Sequence, residues 1–133
     1  MFHKHLIIRA EVDKPPTNTE VINEWMKNLV KEIDMKILMG PYSTYCTVEG
    51  NRGLTAVTII ETSHIALHVW DETNPGLMQL DVYTCSKLDP YEVVKFINAF
   101  EPSKVEMKYL DREHNLVEVP IPDEWCETEI EVA

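Results

Sequence analysis

Residues 54–70, L-T-A-V-T-I-I-E-T-S-H-I-A-L-H-V-W, decide the fold of this chain. Apolar, β-branched segments stand on both sides of E-T-S-H (residues 61–64), and such segments are typical of paired strands. We therefore predict that the chain reverses direction within these four residues. A tight hairpin turn normally contains glycine or asparagine, because the turn requires positive φ. Thr62 and Ser63 stand there instead, which indicates a turn under strain.

The rest of the chain predicts helices and further strands around this hairpin. Residues 18–34 carry apolar side chains at helical spacing after the capping box Thr17-x-x-Glu20. A second helix is predicted to begin at Asp89 and Pro90, because proline is favoured at the first helical position. Apolar or alternating segments predict strands at residues 5–11, 35–42, 54–60, 65–70, 77–84 and 104–110, with a further strand at 116–121.

The resulting order, β-α-β-β-β-β-α-β, predicts an α+β fold. Its two layers are a mainly antiparallel sheet and a pair of helices that cover one face of the sheet. The length of 133 residues fits a single domain over residues 1–133.

Composition limits the classes of partner. The formal net charge of −11 repels phosphate backbones, so we expect no nucleic-acid binding. No apolar run reaches the roughly 18 residues of a membrane span, and charges interrupt the N-terminal apolar run. We therefore expect a cytoplasmic protein without a membrane partner. Cys46, Cys85 and Cys126 form no C-x-x-C pair, which argues against a disulfide framework and against a cysteine zinc site.

Two predicted strands gather the residues that could carry chemistry. In the first, one face is predicted to bear His64, Ala66, His68 and Trp70. In the next strand, Asp81, Tyr83 and Cys85 share a face, and a hairpin would bring His64 or His68 near that end. These histidines are four positions apart on a strand, which is about 13 Å, so they cannot bind one metal ion, and we expect no metal.

Ser63 has both an ordinary and a chemical interpretation. A serine in a turn usually serves the turn alone, and a strand histidine is more often structural than catalytic. In the chemical interpretation, the Ser63 hydroxyl attacks the carbonyl of Thr62, and an N-to-O acyl shift joins the chain through an ester. A base, for which a histidine is suited, then removes the Cα proton of Ser63. The ester leaves, and the dehydroalanine that remains hydrolyses to a pyruvoyl group.

The motif T-S-H-I-A-L-H-V-W-D-E, followed by L-D-V-Y-T-C, resembles the prokaryotic-type S-adenosylmethionine decarboxylases. Their signature reads E-S-H-x-x-x-H-T-W-P-E and then V-D-x-F-T-C. The opening H-L, the Gly-x-[Ser/Thr] before the hairpin and the D-P after the cysteine follow in the family's order, over roughly residues 3–110. The two-layer α+β fold predicted above is also that of the family.

The resemblance implies a role for each matched residue. Ser63 would become the pyruvoyl cofactor that forms a Schiff base with the substrate, and no metal would be needed. The proenzyme would split between Thr62 and Ser63 into a β chain, residues 1–62, and an α chain, residues 63–133. His68 would assist this processing and Thr55 would support the ester step. Cys85 would donate a proton to the decarboxylated carbanion.

The resemblance also implies the substrate and the assembly. S-adenosylmethionine would lose carbon dioxide into the electron sink of the pyruvoyl group, and the product would feed spermidine biosynthesis. Glu72 would hold the ribose hydroxyls. The other implied substrate contacts are Trp70, His64 and Ile65. The functional unit would be a homodimer of processed protomers.

Differences from the family pattern leave two alternatives open, and the loop from Asp71 to Met78 is also about two residues longer than usual. Glu49 stands near the place where the family often has an aromatic residue that stacks on adenine, and Tyr45 is the closest upstream aromatic. A carboxylate there would suit a guanidinium or ammonium group, so the first alternative is a pyruvoyl-dependent arginine or ornithine decarboxylase. Thr62 and Thr55 replace a glutamate and a serine of the family. The second alternative is therefore an unprocessed, non-catalytic homologue that acts as a binding or regulatory subunit.

Overall fold

The computed structural model describes residues 2–121 and 130–132. All eight predicted elements occur in the predicted order, and one short strand follows them. The elements are β1 (Lys4–Val12), α1 (Thr19–Glu32), β2 (Ile37–Cys46), β3 (Gly53–Ile60), β4 (Ser63–Trp70), β5 (Gly76–Thr84), α2 (Pro90–Ile97), a 3-10 turn (Asn98–Phe100), β6 (Pro102–Asp111) and β7 (Ile130–Val132).

The strands form one sheet in the order β2-β3-β4-β5-β1-β6-β7. Neighbours from β2 to β6 are antiparallel, and β7 runs parallel to β6. The predicted α+β sandwich with a mainly antiparallel sheet is thus confirmed. The strand predicted at residues 116–121 is wrong, because this segment contributes a single bridge between Glu118 and Leu110.

The two faces of the sheet differ in what covers them. Alternate residues of β1, such as Leu6, Ile8 and Ala10, are fully buried in one core together with the apolar side of α1 and α2. The other face carries no described helix. We call it the open face. The residues on the open face, which lie opposite one another on neighbouring strands, include His5, Ile7, Arg9, Thr55, Val57, Ile59, His64, Ala66, His68, Trp70, Gln79, Asp81 and Tyr83.

The helix starts follow local capping chemistry. Asp89 caps α2 by accepting a hydrogen bond from the backbone N–H of Tyr91, and Pro90 is the first helical residue, as predicted. The capping box predicted for α1 is wrong: Asn18, not Thr17, is the N-cap residue. Its Oδ1 accepts the backbone N–H groups of the second and third helical residues at 2.9 and 3.1 Å, and asparagine is among the strongest N-cap residues.

Neither described helix combines the length and the apolar character that crossing a bilayer requires.

Candidate active site

The turn between β3 and β4 concentrates its strain on Ser63. Ile60 pairs with Ser63, so Glu61 and Thr62 are the two turn residues. Neither of them has a positive φ, whereas Ser63 has a φ of 147°. Glycine populates this region readily and other residues avoid it, at a cost of about 1–3 kcal/mol. The strain indicated by the sequence therefore lies on Ser63, whose primary hydroxyl is a potential nucleophile.

The unusual φ accompanies a change in the direction of the Ser63 side chain. By strand alternation Ser63 belongs with the buried set that includes Ile65 and Leu67. Its Oγ nevertheless lies 3.5 Å from the Sγ of Cys85, which follows Asp81 and Tyr83 on the open-face side of β5. The turn thus directs a hydroxyl to a thiol that regular strand geometry would keep apart.

The carbonyl of Thr62 is polarised by a backbone donor. The N–H of Cys85 donates to this oxygen at 2.8 Å. The carbon of the same carbonyl is the one that the Ser63 hydroxyl would attack. A fixed N–H at this position stabilises the negative charge that develops on the oxygen during such an attack.

The Thr62 side chain is held by a chain of hydrogen bonds. The fully buried Thr84 donates from its hydroxyl to the Thr62 Oγ1 at 3.0 Å, and Thr62 donates to the sulfur of Met35 at 3.4 Å. Thr84 Oγ1 in turn accepts the backbone N–H of Ser86. Threonine at this position, where the resembled family has glutamate, therefore fixes the peptide group that would be cut.

Cys85 has a second neighbour that the sequence did not indicate. The Nδ1 atom of His3 lies 3.4 Å from its Sγ. This contact depends on the register that pairs Lys4 with Thr84, and no motif marks it. We call Thr62, Ser63, Cys85 and His3 the cleavage cluster.

A second group of predicted residues lies at the other end of β4. The Oγ1 of Thr55 and the Nδ1 of His68 are 3.1 Å apart, and the His68 ring stacks near Trp70 with centroids 6.0 Å apart. We call Thr55, His68, Trp70 and Glu72 the loop cluster. A cavity of about 260 Å³ opens between the first three and Cys46.

Glu72 is held by the loop that precedes β3. Its two carboxylate oxygens accept the backbone N–H groups of Arg52 at 2.7 Å and of Gly50 at 3.0 Å. These two bonds lower the pKa of Glu72 from its ordinary value of 4.5. Each oxygen keeps a free lone pair, so the carboxylate can still accept hydroxyl groups.

Two further side-chain hydrogen bonds join the loop and the end of β2 to the end of β4 and the residue that follows it. The indole of Trp70 donates to the Oδ1 of Asn51 at 2.9 Å. The hydroxyl of Tyr45 donates to Asp71 at 2.7 Å, and this bond raises the pKa of Tyr45. Glu49 is exposed in this loop.

The structure does not bring the two clusters together within one chain. Ser63 and His68 are five residues apart on one strand, which the strand rise converts to roughly 16 Å. His68 lies opposite Gln79, whereas His64 lies opposite Tyr83. Of the two histidines considered from the sequence, His64 is therefore the one near the Asp81–Cys85 end.

A third group joins β1, β4 and β5 on the open face. One carboxylate oxygen of Asp81 lies 3.0 Å from the Nε2 of His5 and 3.1 Å from that of His64. Burial raises the pKa of Asp81, but the hydrogen bonds and charges of the two histidines together outweigh burial and lower it.

These three side chains are close enough to bind a metal ion, since their ligand atoms lie within 4.8 Å of one another. The guanidinium of Arg112, however, lies 3.4 Å from the Nδ1 of His5 and stacks over Tyr83 at 3.8 Å. Arginine can only donate, so Nδ1 of His5 accepts and its Nε2 carries the proton toward Asp81. A metal would need that Nε2 lone pair, so the arrangement favours hydrogen bonding over metal binding.

Comparisons with known proteins identify the family. A family model described as S-adenosylmethionine decarboxylase matches residues 6–113. The chain belongs to this family. An S-adenosylmethionine decarboxylase proenzyme of Clostridium botulinum strain Hall is 33% identical over 97 residues, which cover 71% of this chain and 78% of that protein. A proenzyme of the same name from Pyrobaculum arsenaticum is 41% identical over 64 residues, or 47% of this chain and 50% of that protein.

A solved member of the S-adenosylmethionine decarboxylase family has the same fold. The crystal structure of the adenosylmethionine decarboxylase from Aquifex aeolicus VF5 matches with a TM-score of 0.64, over 91% of this chain and 97% of that chain. The two sequences are 24% identical, so this likeness concerns the fold.

One of the contacts expected from the S-adenosylmethionine decarboxylase family needs restating. Ile65 is fully buried and faces the helices, so its side chain cannot contact a substrate on the open face. Its backbone alone borders that face. His64 and Trp70, by contrast, lie on the open face as the alternation predicted.

Proposed function

We propose that this chain is a proenzyme that cuts itself between Thr62 and Ser63 and then decarboxylates S-adenosylmethionine with a pyruvoyl group made from Ser63. The observation that carries the proposal is the strained φ of Ser63 beside a Thr62 carbonyl that already accepts the Cys85 N–H. A strained nucleophile next to a polarised carbonyl suits an acyl shift.

The cut can be followed atom by atom on these residues. The Oγ of Ser63 bonds to the carbonyl carbon of Thr62, and the Cys85 N–H stabilises the oxyanion. The C–N bond then breaks and the nitrogen takes up the proton that the Ser63 hydroxyl gave up, which leaves an ester and a free amine on Ser63. Loss of the Ser63 Cα proton expels the ester oxygen and releases residues 1–62 with a carboxylate at Thr62. Hydrolysis of the remaining dehydroalanine releases ammonia and completes the group at the start of residues 63–133.

The cleavage cluster then supports the decarboxylation. A pyruvoyl group supplies an electron sink for the bond that releases carbon dioxide. Cys85 lies within 3.5 Å of the Ser63 hydroxyl, so its thiol is placed to protonate the carbon that loses the carboxyl group.

The loop cluster supplies the groups that would orient the substrate. Glu72 has lone pairs for the ribose hydroxyls, and Trp70 offers an indole beside the cavity. We assign the exposed Glu49 no role for S-adenosylmethionine. If the substrate were arginine or ornithine, a carboxylate at this place would instead pair with the cationic side chain.

We further propose that two copies pair through their open faces. Ile7, Val57 and Ile59 are 41%, 40% and 42% exposed there, and apolar side chains on a sheet face favour association. A two-fold axis places each residue opposite its partner's matching patch. Such a pairing can set the loop cluster of one protomer against the cleavage cluster of the other, which one chain alone holds roughly 16 Å apart.

The test combines intact-mass spectrometry with carbon dioxide release. We expect two fragments that meet between Thr62 and Ser63, the larger resistant to Edman degradation because it has no free amino terminus. Carboxyl-labelled S-adenosylmethionine should release label at least 100-fold faster than arginine or ornithine. Faster release from either amino acid would establish the alternative substrate. A chain that stays whole after prolonged incubation would contradict the proposal and favour a binding subunit.

A further inference from the structure

His3 contacts the thiol of Cys85, yet neither the cut nor the substrate contacts described above involve it. The ring Nδ1 lies 3.4 Å from Sγ, within hydrogen-bond distance for sulfur. Among the histidines of the family motifs, His5 and His64 each have Nε2 on Asp81, and His68 contacts Thr55. Among the described residues, His3 is thus the histidine available to Cys85.

The position of His3 is fixed although it lies outside β1. Its backbone N–H donates to the Oε1 of Glu113 at 2.8 Å, and its carbonyl accepts the N–H of Arg112 at 2.8 Å. Glu113 also accepts the ammonium of Lys4 at 3.2 Å. The first of these bonds is the largest contribution that lowers the pKa of Glu113. His3 is therefore held from the segment after β6, and its half-buried ring is free to face Cys85.

We propose that His3 is a positioning residue for Cys85: its ring holds the thiol beside Ser63 and returns the proton that the thiol gives up in each turnover. This role rests on the proposed function, because it presumes that Cys85 donates a proton. The ring has the two properties that the role requires, since one nitrogen contacts the sulfur and the other can exchange protons with water.

The proton balance closes within this pair of residues. The S–H bond of Cys85 breaks as a C–H bond forms on the product carbon, which leaves a thiolate. The N–H bond at Nδ1 of His3 then breaks, and the S–H bond forms again. Water protonates Nε2 in the same step, so the ring stays neutral. Exchange of the ring proton with solvent then restores Nδ1–H, and each turnover consumes one solvent proton.

The charged groups around His3 come from two elements. Lys4 lies beside it on β1, and Arg112 and Glu113 follow β6. Their described contacts with His3 run through its backbone, which leaves the Cys85 thiol as the polar partner of the ring in the described part of the chain.

The first test reads the thiol without any turnover. In the Ser63→Ala chain, which cannot be cut, we would measure alkylation of Cys85 by iodoacetamide at neutral pH with peptide-resolved mass spectrometry. Because thiolates are the reactive form, loss of the His3 donor should slow alkylation. We expect at least a threefold decrease for His3→Ala. His3→Asn, whose amide N–H can replace Nδ1–H, should stay within twofold of the parent.

Two internal controls accompany this measurement. Cys46 is the last residue of β2 and belongs to the loop-cluster cavity, so its alkylation in the same sample should not change. His114→Ala removes an exposed histidine from the segment after β6 and should leave Cys85 unaffected. An alkylation rate of Cys85 in His3→Ala equal to or above the parent rate would overturn the proposal.

The second test uses the cut enzyme. We expect His3→Ala to be cut at the parental rate, to keep KM within twofold and to lose at least tenfold in kcat. His3→Asn should restore thiol alkylation but not kcat, because an amide cannot relay a proton. Parental kcat in His3→Ala would refute proton return. If the parent released no carbon dioxide, the decarboxylase function would fail, and the alkylation result would still decide whether His3 positions the thiol.

Discussion

The two clusters differ in how much of their chemistry one chain completes. In the cleavage cluster, the Oγ of Ser63 lies 3.5 Å from the Sγ of Cys85, and the backbone N–H of Cys85 donates to the Thr62 carbonyl at 2.8 Å. The loop cluster has a histidine, an indole and a carboxylate, but their hydrogen bonds go to Thr55 and to the adjoining loop. The comparison teaches that the nucleophile, the polarised carbonyl and the thiol of the proposed cut lie together in one chain, whereas the proposed substrate contacts lie far from them in one protomer.

The largest effect should follow from loss of the nucleophile. We expect Ser63→Ala to remain one full-length chain and to lose at least 1,000-fold in activity, because the cofactor would never form. Intact mass and carbon dioxide release measure the two results. Ser103→Ala, which removes an exposed hydroxyl on the sheet, should behave as the parent. Parental activity in Ser63→Ala would eliminate the pyruvoyl mechanism.

Cys85→Ala should separate the cut from the turnover. The polarising bond to the Thr62 carbonyl comes from the backbone N–H, which alanine keeps. Fragments should therefore appear at nearly the parental rate, while kcat falls about 100- to 10,000-fold with the loss of the proton donor.

Ser103→Ala is again the control, since its hydroxyl donates to the carbonyl of Glu11 and belongs to neither cluster. A Cys85→Ala chain that stays whole would show that the thiol itself, and not the backbone, is needed for the cut.

His68→Ala should slow the cut by roughly 10- to 100-fold, and a mixed dimer can show where this histidine acts. If His68 serves the Ser63 of the other copy, refolding His68→Ala with Ser63→Ala chains creates one complete site per mixed dimer. The His68→Ala chain would then be cut. Intact mass distinguishes its fragments from the uncut Ser63→Ala chain. No recovery in verified mixed dimers would place both clusters' roles within one protomer.

The smallest effect concerns the hydrogen bonds between the Glu72 carboxylate and the backbone of the loop that precedes β3. The folded-state pKa lies below the ordinary value of 4.5, so the two backbone bonds stabilise the loop fully above about pH 4.5. This stabilisation is lost as the pH falls through the lower, folded-state pKa. Hydrogen exchange at Gly50 and Arg52 should accelerate over that interval, beyond the intrinsic pH dependence.

Glu72→Gln should show the faster loop exchange already at pH 7, and Glu32→Gln should not. Equal protection of the two amides in Glu72→Gln and the parent would mean that the carboxylate does not hold the loop.

Local sequence patterns predicted the helices and strands well, because the spacing of apolar residues within a short segment determines each element. The alternation of His64, Ala66, His68 and Trp70 predicted which side of β4 faces the core. The departure at Thr62 and Ser63 predicted strain. Only the structure shows that Ser63, and not Thr62, has the positive φ, because φ depends on how the flanking strands pair.

Contacts between distant segments could not be predicted in this way. His3 meets Cys85 because β1 and β5 pair in one register out of many, and a shift of one residue would turn either side chain to the opposite face. The capture of Glu72 by Gly50 and Arg52 likewise depends on loop shape, for which the sequence carries no periodic signal. The N-cap is Asn18 and not Thr17, a difference of one residue. Helix ends cannot usually be located from sequence more closely than one or two residues.

The strand order gives the proposed cut an unusual outcome. From one edge of the sheet, β2 and β3 belong to residues 1–62, β4 and β5 to residues 63–133, β1 to the first segment again, and β6 and β7 to the second. The two fragments are therefore interlocked: withdrawing either one breaks the pairings of β1 on both of its sides. Maturation would change the chemistry of one bond and leave a heterodimer that cannot dissociate without unfolding.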